Sequence, residues 1–171
     1  GLGNAGIDWG MSQGNVTFLF GRAVAGAGDV NGDGYSDVVV GAPTYSQYFT
    51  HEGAAWAYCG STSGLTTSAC WWDTGYRENA YFGWSGSSGG DLNGDGYADI
   101  AAGAPGWSNS HQSEGQARVY YGSAWGPVSF NDGDWTVGSN MTGSALGRSV
   151  AGAVLTLHAP QLAPAMTEPA N

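Results

Sequence analysis

Three observations predict an all-β fold made of repeated four-stranded units: a duplicated acidic Gly-rich loop, landmarks that recur about 62 residues apart, and a composition hostile to long helices. Gly supplies 31 of the 171 residues without a collagen-like period, and Lys, Glu and Leu are scarce. Apolar residues still reach 42% and aromatics 13%, enough to bury a core in a chain of single-domain size. Short strands joined by turns follow from that balance.

The period is read from four pairs in register. Phe20-Gly21 returns as Phe82-Gly83, Gly41-Ala42-Pro43 as Gly103-Ala104-Pro105, Glu52-Gly53 as Glu114-Gly115, and Gly60-Ser61 as Gly122-Ser123. Trp9, Trp72 and Trp135 recur 63 residues apart, each ahead of an aromatic or aliphatic residue followed by Gly. Such a position is expected to pack one unit on the next. Within the first unit the strand signals are Ala23 to Gly26, Asp37 to Val40, Ala54 to Cys59, and the segment around Trp71 to Asp73. Four antiparallel strands in about 60 residues make one blade of a β-propeller.

Between the first two strands lies D-V-N-G-D-G-Y-S-D, from Asp29 to Asp37. Asp29, Asn31, Asp33, the carbonyl of Tyr35 and Asp37 place oxygen at alternate residues, while Gly32 and Gly34 let the backbone close tightly. That arrangement suits calcium, which takes six to eight oxygen ligands. An EF-hand would need a bidentate acid at loop position twelve, which is Val40 here and Ala102 in the second copy. A metal-free turn would leave its carboxylates repelling one another.

The run of FG, A-G-A-G-D-V-N-G-D-G-Y-S-D-V-V-V-G-A-P and G-A-A-W-A-Y-C-G-S resembles the FG-GAP repeat of the integrin alpha subunit head and of related extracellular proteins, over residues 18 to about 125. The resemblance implies propeller blades with calcium in each hairpin loop. By position its ligands are Asp29, Asn31, Asp33, Tyr35 and Asp37, then Asp91, Asn93, Asp95, Tyr97 and Asp99, giving two ions. Propellers of that family close with about seven blades, whereas this chain holds two complete units, 18–80 and 81–145. Residues 1–17 offer a lone fourth strand near Ile7 to Gly10. Residues 146–171 begin a third unit at Arg148-Ser149-Val150-Ala151-Gly152-Ala153, lack its metal loop, and end in a Pro-containing strap from Ala159 to Asn171. Unpaired edges at both ends predict head-to-tail assembly by strand complementation, as a ring or a filament of identical chains. A fragment of a longer propeller is the alternative.

A net charge of -10, with only Arg22, Arg77, Arg118 and Arg148 as cations, disfavours nucleic acid and anionic membranes as partners. No apolar run approaches the roughly 20 residues that span a bilayer. Cys59 and Cys70 flank a Gly/Ser/Thr turn and are expected to form a disulfide, which with the calcium loops points outside the cell. The start at Gly1 rather than Met is consistent with a removed leader. Asn15 and Asn140 open N-linked sequons. His51 with Glu52 and His111 with Glu114 could do acid/base work, but they are expected in solvated loops, and no nucleophile elbow accompanies them. No enzyme activity is expected. Trp84, Trp107 and Trp125 fall in loop or edge contexts and are the candidates for carbohydrate contact in a lectin alternative. The function expected is that of an extracellular, calcium-stabilised structural or adhesion protein with a protein or glycan ligand.

Overall fold

Residues 18–128 and 133–152 are described by the computed structural model. Eight strands follow one another as β1 (Ala23–Gly28), β2 (Asp37–Ala42), β3 (Ala54–Tyr58), β4 (Trp71–Thr74), β5 (Ser85–Gly90), β6 (Asp99–Ala104), β7 (Gln116–Tyr120) and β8 (Trp135–Gly138). They form two antiparallel sheets in the orders β1-β2-β3-β4 and β5-β6-β7-β8, each strand beside its sequence neighbour. These are two propeller-type blades.

The repeat extends to irregularities. Both first hairpins slip register at the same place, between Gly26 and Gly28 and between Ser88 and Gly90, just before the acidic loops. A bulge there bends the strand into its turn. Strands β2 and β3, and β6 and β7, lie inside their sheets; β3 is wholly apolar and buried, and three valines in β2 fit a pleated surface covered on both sides.

The blades pack face to face through one core. Ala27, Val39, Ala55, Ala57 and Trp71 of the first blade meet Phe82, Ile100, Ala102, Ala104 and Tyr120 of the second. Small residues on one side let the sheets approach closely, and the aromatic rings fill the wider parts.

The two sequence landmarks interlock between units. The ideal Cβ of Gly41, in G-A-P, would fall 2.0 Å from the carbonyl oxygen of Gly83, in the next F-G; that of Gly103 would fall 1.8 Å from the carbonyl oxygen of Gly147. Gly83 and Gly147 themselves have φ of 77° and 85°. Only Gly meets both demands, left-handed backbone and contact closer than a side chain permits. The F-G of each unit is therefore seated on the G-A-P of the unit before it.

Two sequence expectations are corrected here. Trp72 and Trp135 are not equivalent, and Trp72 is not an interblade packing residue. Register pairs Ala57 with Trp71 and Val119 with Trp135, so Trp71 corresponds to Trp135 and Trp72 to Thr136. Trp71 is the buried ring, at 3% exposure, while Trp72 at 39% alternates to the other face and Trp135 at 51% lies on the outer face of the second blade. The segment 148–152 was expected as a first strand, but only an isolated bridge, Gly115 to Leu146, marks the third unit among the described residues. Residues Ser149 to Gly152 instead line a groove with Gly89, Ala117, Val119 and Trp135. Trp9 and the strand near Ile7 to Gly10 lie outside the described residues, as does the strap from Ala159.

Candidate calcium loops and the contact between blades

Each acidic loop leaves the bulged end of a first strand and returns at a buried Asp. In the first, Asp33 N–H donates to Asp29 Oδ1 and Asn31 Oδ1, both at 3.1 Å, Gly34 N–H donates to Asp29 Oδ2 at 2.8 Å, and Tyr35 N–H donates to Asp33 Oδ1 at 2.9 Å. The second repeats this with Asp95, Gly96 and Tyr97 donating to Asp91, Asn93 and Asp95. Successive N–H groups thus hold the acidic side chains to one turn.

Asp37 and Asp99 anchor the loops to their sheets. Asp37 accepts from Val30 N–H at 2.8 Å and from Gly60 N–H at 2.7 Å; Asp99 accepts from Leu92 N–H at 2.6 Å and Gly122 N–H at 3.0 Å. Both are buried. Burial pushes their carboxyls up from the ordinary 3.8; the backbone donors oppose this, and the carboxylates of Asp33 and Asp29, or Asp95 and Asp91, add to it.

Neighbouring loops also touch. Ala98 N–H donates to the Asp29 carbonyl at 2.9 Å, and the Tyr97 ring lies over Gly32, whose ideal Cβ would come within 2.5 Å of it. The second blade therefore braces the first loop. Among the described residues no three His, Cys, Asp or Glu side chains form a metal cluster by themselves. The donor set fits a hard divalent cation nonetheless: it is all oxygen, it includes an amide and a carbonyl beside three carboxylates per loop, and it holds negative charge against burial and mutual repulsion.

A second polar centre, which sequence reasoning missed, joins the blades. Arg118 of β7 is 1% exposed; its Nε–H donates to Gln116 Oε1 at 2.6 Å and its terminal N–H groups donate to the carbonyls of Thr74 and Gly75 at 2.9 and 3.2 Å. Asp73 Oδ2 lies 3.9 Å away and accepts from the Tyr120 hydroxyl at 2.7 Å. Burial raises the Tyr120 hydroxyl well above its ordinary range, and burial with the bond to Asp73 pushes Tyr76 up to about 12. The available signal was positional: Arg118 occupies the place that Trp56 holds in the first unit.

The His-Glu pairs are not solvated, which corrects that expectation for their carboxylates. Glu52 and Glu114 are buried. Glu52 Oε1 accepts from Gln47 and Tyr48 N–H, and Glu114 Oε1 from Asn109 N–H. Carboxylates spent on a loop's own backbone close that loop. His111 Nδ1 is 3.4 Å from Glu114, whereas His51 stacks on Tyr81. Cys59 and Cys70 form the expected disulfide, with Cα atoms 5.9 Å apart. Trp84 and Trp107 carry arginine guanidinium groups over their rings, and Trp125 is 86% exposed. Asn140 is exposed with left-handed backbone, while Asn15 lies outside the described residues. No helix among the described residues is long and apolar enough to cross a membrane.

Paired four-stranded blades with an acidic loop in each first hairpin and an interlocked F-G and G-A-P define a propeller-type repeat protein. The family model described as the FG-GAP repeat matches residues 20–58 and 82–121, so the chain carries two FG-GAP repeats. It is 34% identical over 116 residues to Integrin alpha-PS2 of Drosophila melanogaster, covering 64% of this chain and 8% of the relative. It is 35% identical over 129 residues to Integrin alpha-6 of Gallus gallus, covering 69% and 11%, and 40% identical over 89 residues to Integrin alpha pat-2 of Caenorhabditis elegans, covering 50% and 7%. The chain thus spans about a tenth or less of the length of these relatives.

Proposed function

We propose that the chain is a building block of an extracellular, calcium-stabilised FG-GAP propeller whose role is structural or adhesive rather than enzymatic. One observation carries the reading. Gly83 and Gly147 are each seated on a preceding G-A-P, but Gly21, the first copy of the same motif, has nothing within 4 Å of its ideal Cβ among the described residues. Its blade is built to receive a unit in front. The outer faces agree: Val24 and Trp72 are exposed on one, Leu92 and Trp135 on the other. The internal interface buries Val30 and Trp71, the equivalents of Leu92 and Trp135, so a second copy placed head to tail would cover that outer face as the second blade covers the first. Strand exchange between residues 146–158 of one chain and the head of the next would complete a blade.

Calcium in this reading is held by Asp29, Asn31, Asp33, the Tyr35 carbonyl and Asp37, and by Asp91, Asn93, Asp95, the Tyr97 carbonyl and Asp99. When bound, the ion supplies positive charge that neutralises the loop carboxylates and fixes the hairpins. The disulfide suits an oxidising compartment, and Asn15 and Asn140 are acceptors there if the source glycosylates. The partners are further copies and a protein ligand. The relatives named integrin alpha favour a piece of a larger propeller over a free-standing lectin, and guanidinium groups over Trp84 and Trp107 leave Trp125 as the open ring for a sugar. Isothermal titration of stripped protein with calcium is the test: two sites are expected, reduced to one by Asp33→Ala or by Asp95→Ala. No binding to the wild-type chain would end the calcium assignment.

A further inference from the structure

Both acidic loops carry an Asn-Gly pair, Asn31-Gly32 and Asn93-Gly94. Asn is a thermolabile residue, and a following Gly opens a route for its loss, because no side chain shields the Gly nitrogen from the amide carbon before it. In that reaction the Gly backbone nitrogen bonds to Asn Cγ, and the amide nitrogen departs as ammonia, carrying the proton that the Gly nitrogen gives up. Water then opens the cyclic imide at either carbonyl and leaves Asp or isoaspartate. One water is consumed, one ammonia is released, and nothing is oxidised or reduced.

The folded loops treat the two pairs differently. In the second, Gly94 N–H donates to Asp91 Oδ1 at 2.7 Å, so a carboxylate lies at the proton that must leave. Asp95 N–H donates to Asn93 Oδ1 at 3.2 Å, where negative charge develops as Cγ is attacked, and Asn93 Nδ2 donates to Asp95 Oδ2 at 2.8 Å. Asn93 is exposed, and an ideal Cβ on Gly94 meets nothing within 4 Å. The first loop keeps the two bonds between Asn31 and Asp33, at 3.1 and 2.9 Å, but Gly32 N–H has no acceptor among the described residues. Asn31 is half-buried, and the Tyr97 ring covers Gly32 so closely that an ideal Cβ there would lie 2.5 Å from it. One pair is open with an acceptor in place; the other is covered and lacks one.

We infer that Asn93 is a site of spontaneous deamidation in the folded, ion-free chain, converting to Asp and isoaspartate well ahead of Asn31. Isoaspartate carries the main chain through one extra carbon between residues 93 and 94, which shifts Asp95, Tyr97 and Asp99 relative to Asp91. The second loop is therefore the one that loses its geometry with age. The second blade, through Tyr97, guards the first loop from the same change.

The test incubates the full chain, stripped of divalent ions, at neutral pH and physiological temperature. Cleavage after arginine separates the two sites into peptides 23–77 and 78–118. Tandem mass spectrometry reads the gain from amide to carboxyl at each Asn, and labelling by a protein isoaspartate methyltransferase reads the isomer. Asn93 is expected to convert at least about fivefold faster than Asn31, a ratio equivalent to about 1 kcal/mol in the barrier. In chain unfolded by urea the neighbouring sequences D-V-N-G-D-G and D-L-N-G-D-G are nearly alike, so the two rates should converge. Tyr97→Ala, with an unchanged circular dichroism spectrum, should raise the Asn31 rate and narrow the ratio. Equal rates in the folded wild-type chain, or no conversion at Asn93 over a period in which the unfolded chain converts, would overturn the proposal. So would the same ratio in urea, or an Asn31 rate that folded Tyr97→Ala does not raise.

Discussion

The two blades share strands, register and loop geometry, yet differ wherever a side chain meets something other than its own sheet. Trp71 is buried against the second blade, and its counterpart Trp135 is half exposed because no blade follows it among the described residues. Trp56 sits in an aromatic cluster with Phe20 and Tyr45, while its counterpart Arg118 is buried between blades. Asp73, which faces Arg118 and Tyr120, is replaced by Val137. The Cys59–Cys70 bridge has as its counterpart a hydrogen bond from Tyr121 N–H to Asp134 Oδ2 at 2.7 Å. Backbone motifs therefore make the blade, and the remaining positions record which neighbour each face was built for.

That contrast can be broken at Arg118 first. Arg118→Ala leaves the buried carbonyls of Thr74 and Gly75 without their donor and Asp73 without its charge partner, and should cost about 3–5 kcal/mol in urea unfolding. Arg118→Met paired with Asp73→Val should cost clearly less than the sum of the two single changes, which a double-mutant cycle would register. Trp71→Ala should lose about 3–5 kcal/mol by opening the interblade core, against less than about 1 for Trp135→Ala in an isolated chain. Equal losses at the two sites would erase the distinction between inner and outer faces. Replacing both cysteines by Ser should cost about 2–4 kcal/mol, whereas Asp134→Ala, which removes the corresponding hydrogen bond, should cost about 1.

A smaller, symmetric effect is expected at Asp37 and Asp99. Their folded carboxyls are raised above the ordinary 3.8, so the folded state of calcium-stripped protein holds these protons more tightly than the unfolded state. Their contribution to stability is full below 3.8 and is lost as pH rises through the raised values. Saturating calcium should reverse the slope, because protons then compete with the ion. Unfolding midpoints between pH 3 and 6, stripped and calcium-loaded, provide the comparison.

Much of this was legible before any coordinates. The duplicated acidic loop, F-G and G-A-P are backbone requirements, written in Gly and Asp at fixed offsets, and the strand positions followed from them. The tryptophans misled because equal spacing of 63 hid a register offset: the chain between β7 and β8 carries two more residues than that between β3 and β4, so Trp135 aligns with Trp71 and not Trp72. One residue of slip changes the face. Arg118 was invisible because its role depends on Asp73, Thr74 and Gly75, more than 40 positions away on another blade. The burial of Glu52 and Glu114 was missed for a similar reason, since a loop that folds onto its own carboxylate looks solvated in sequence.

The central claim is that these blades are units made to continue into others, with calcium holding their hairpins. Sedimentation equilibrium of the full chain, with calcium and after chelation, addresses it directly. The account predicts assemblies well above the 17.5 kDa chain in calcium and their loss when the ion is removed. A 17.5 kDa monomer, unchanged by chelation, would contradict it.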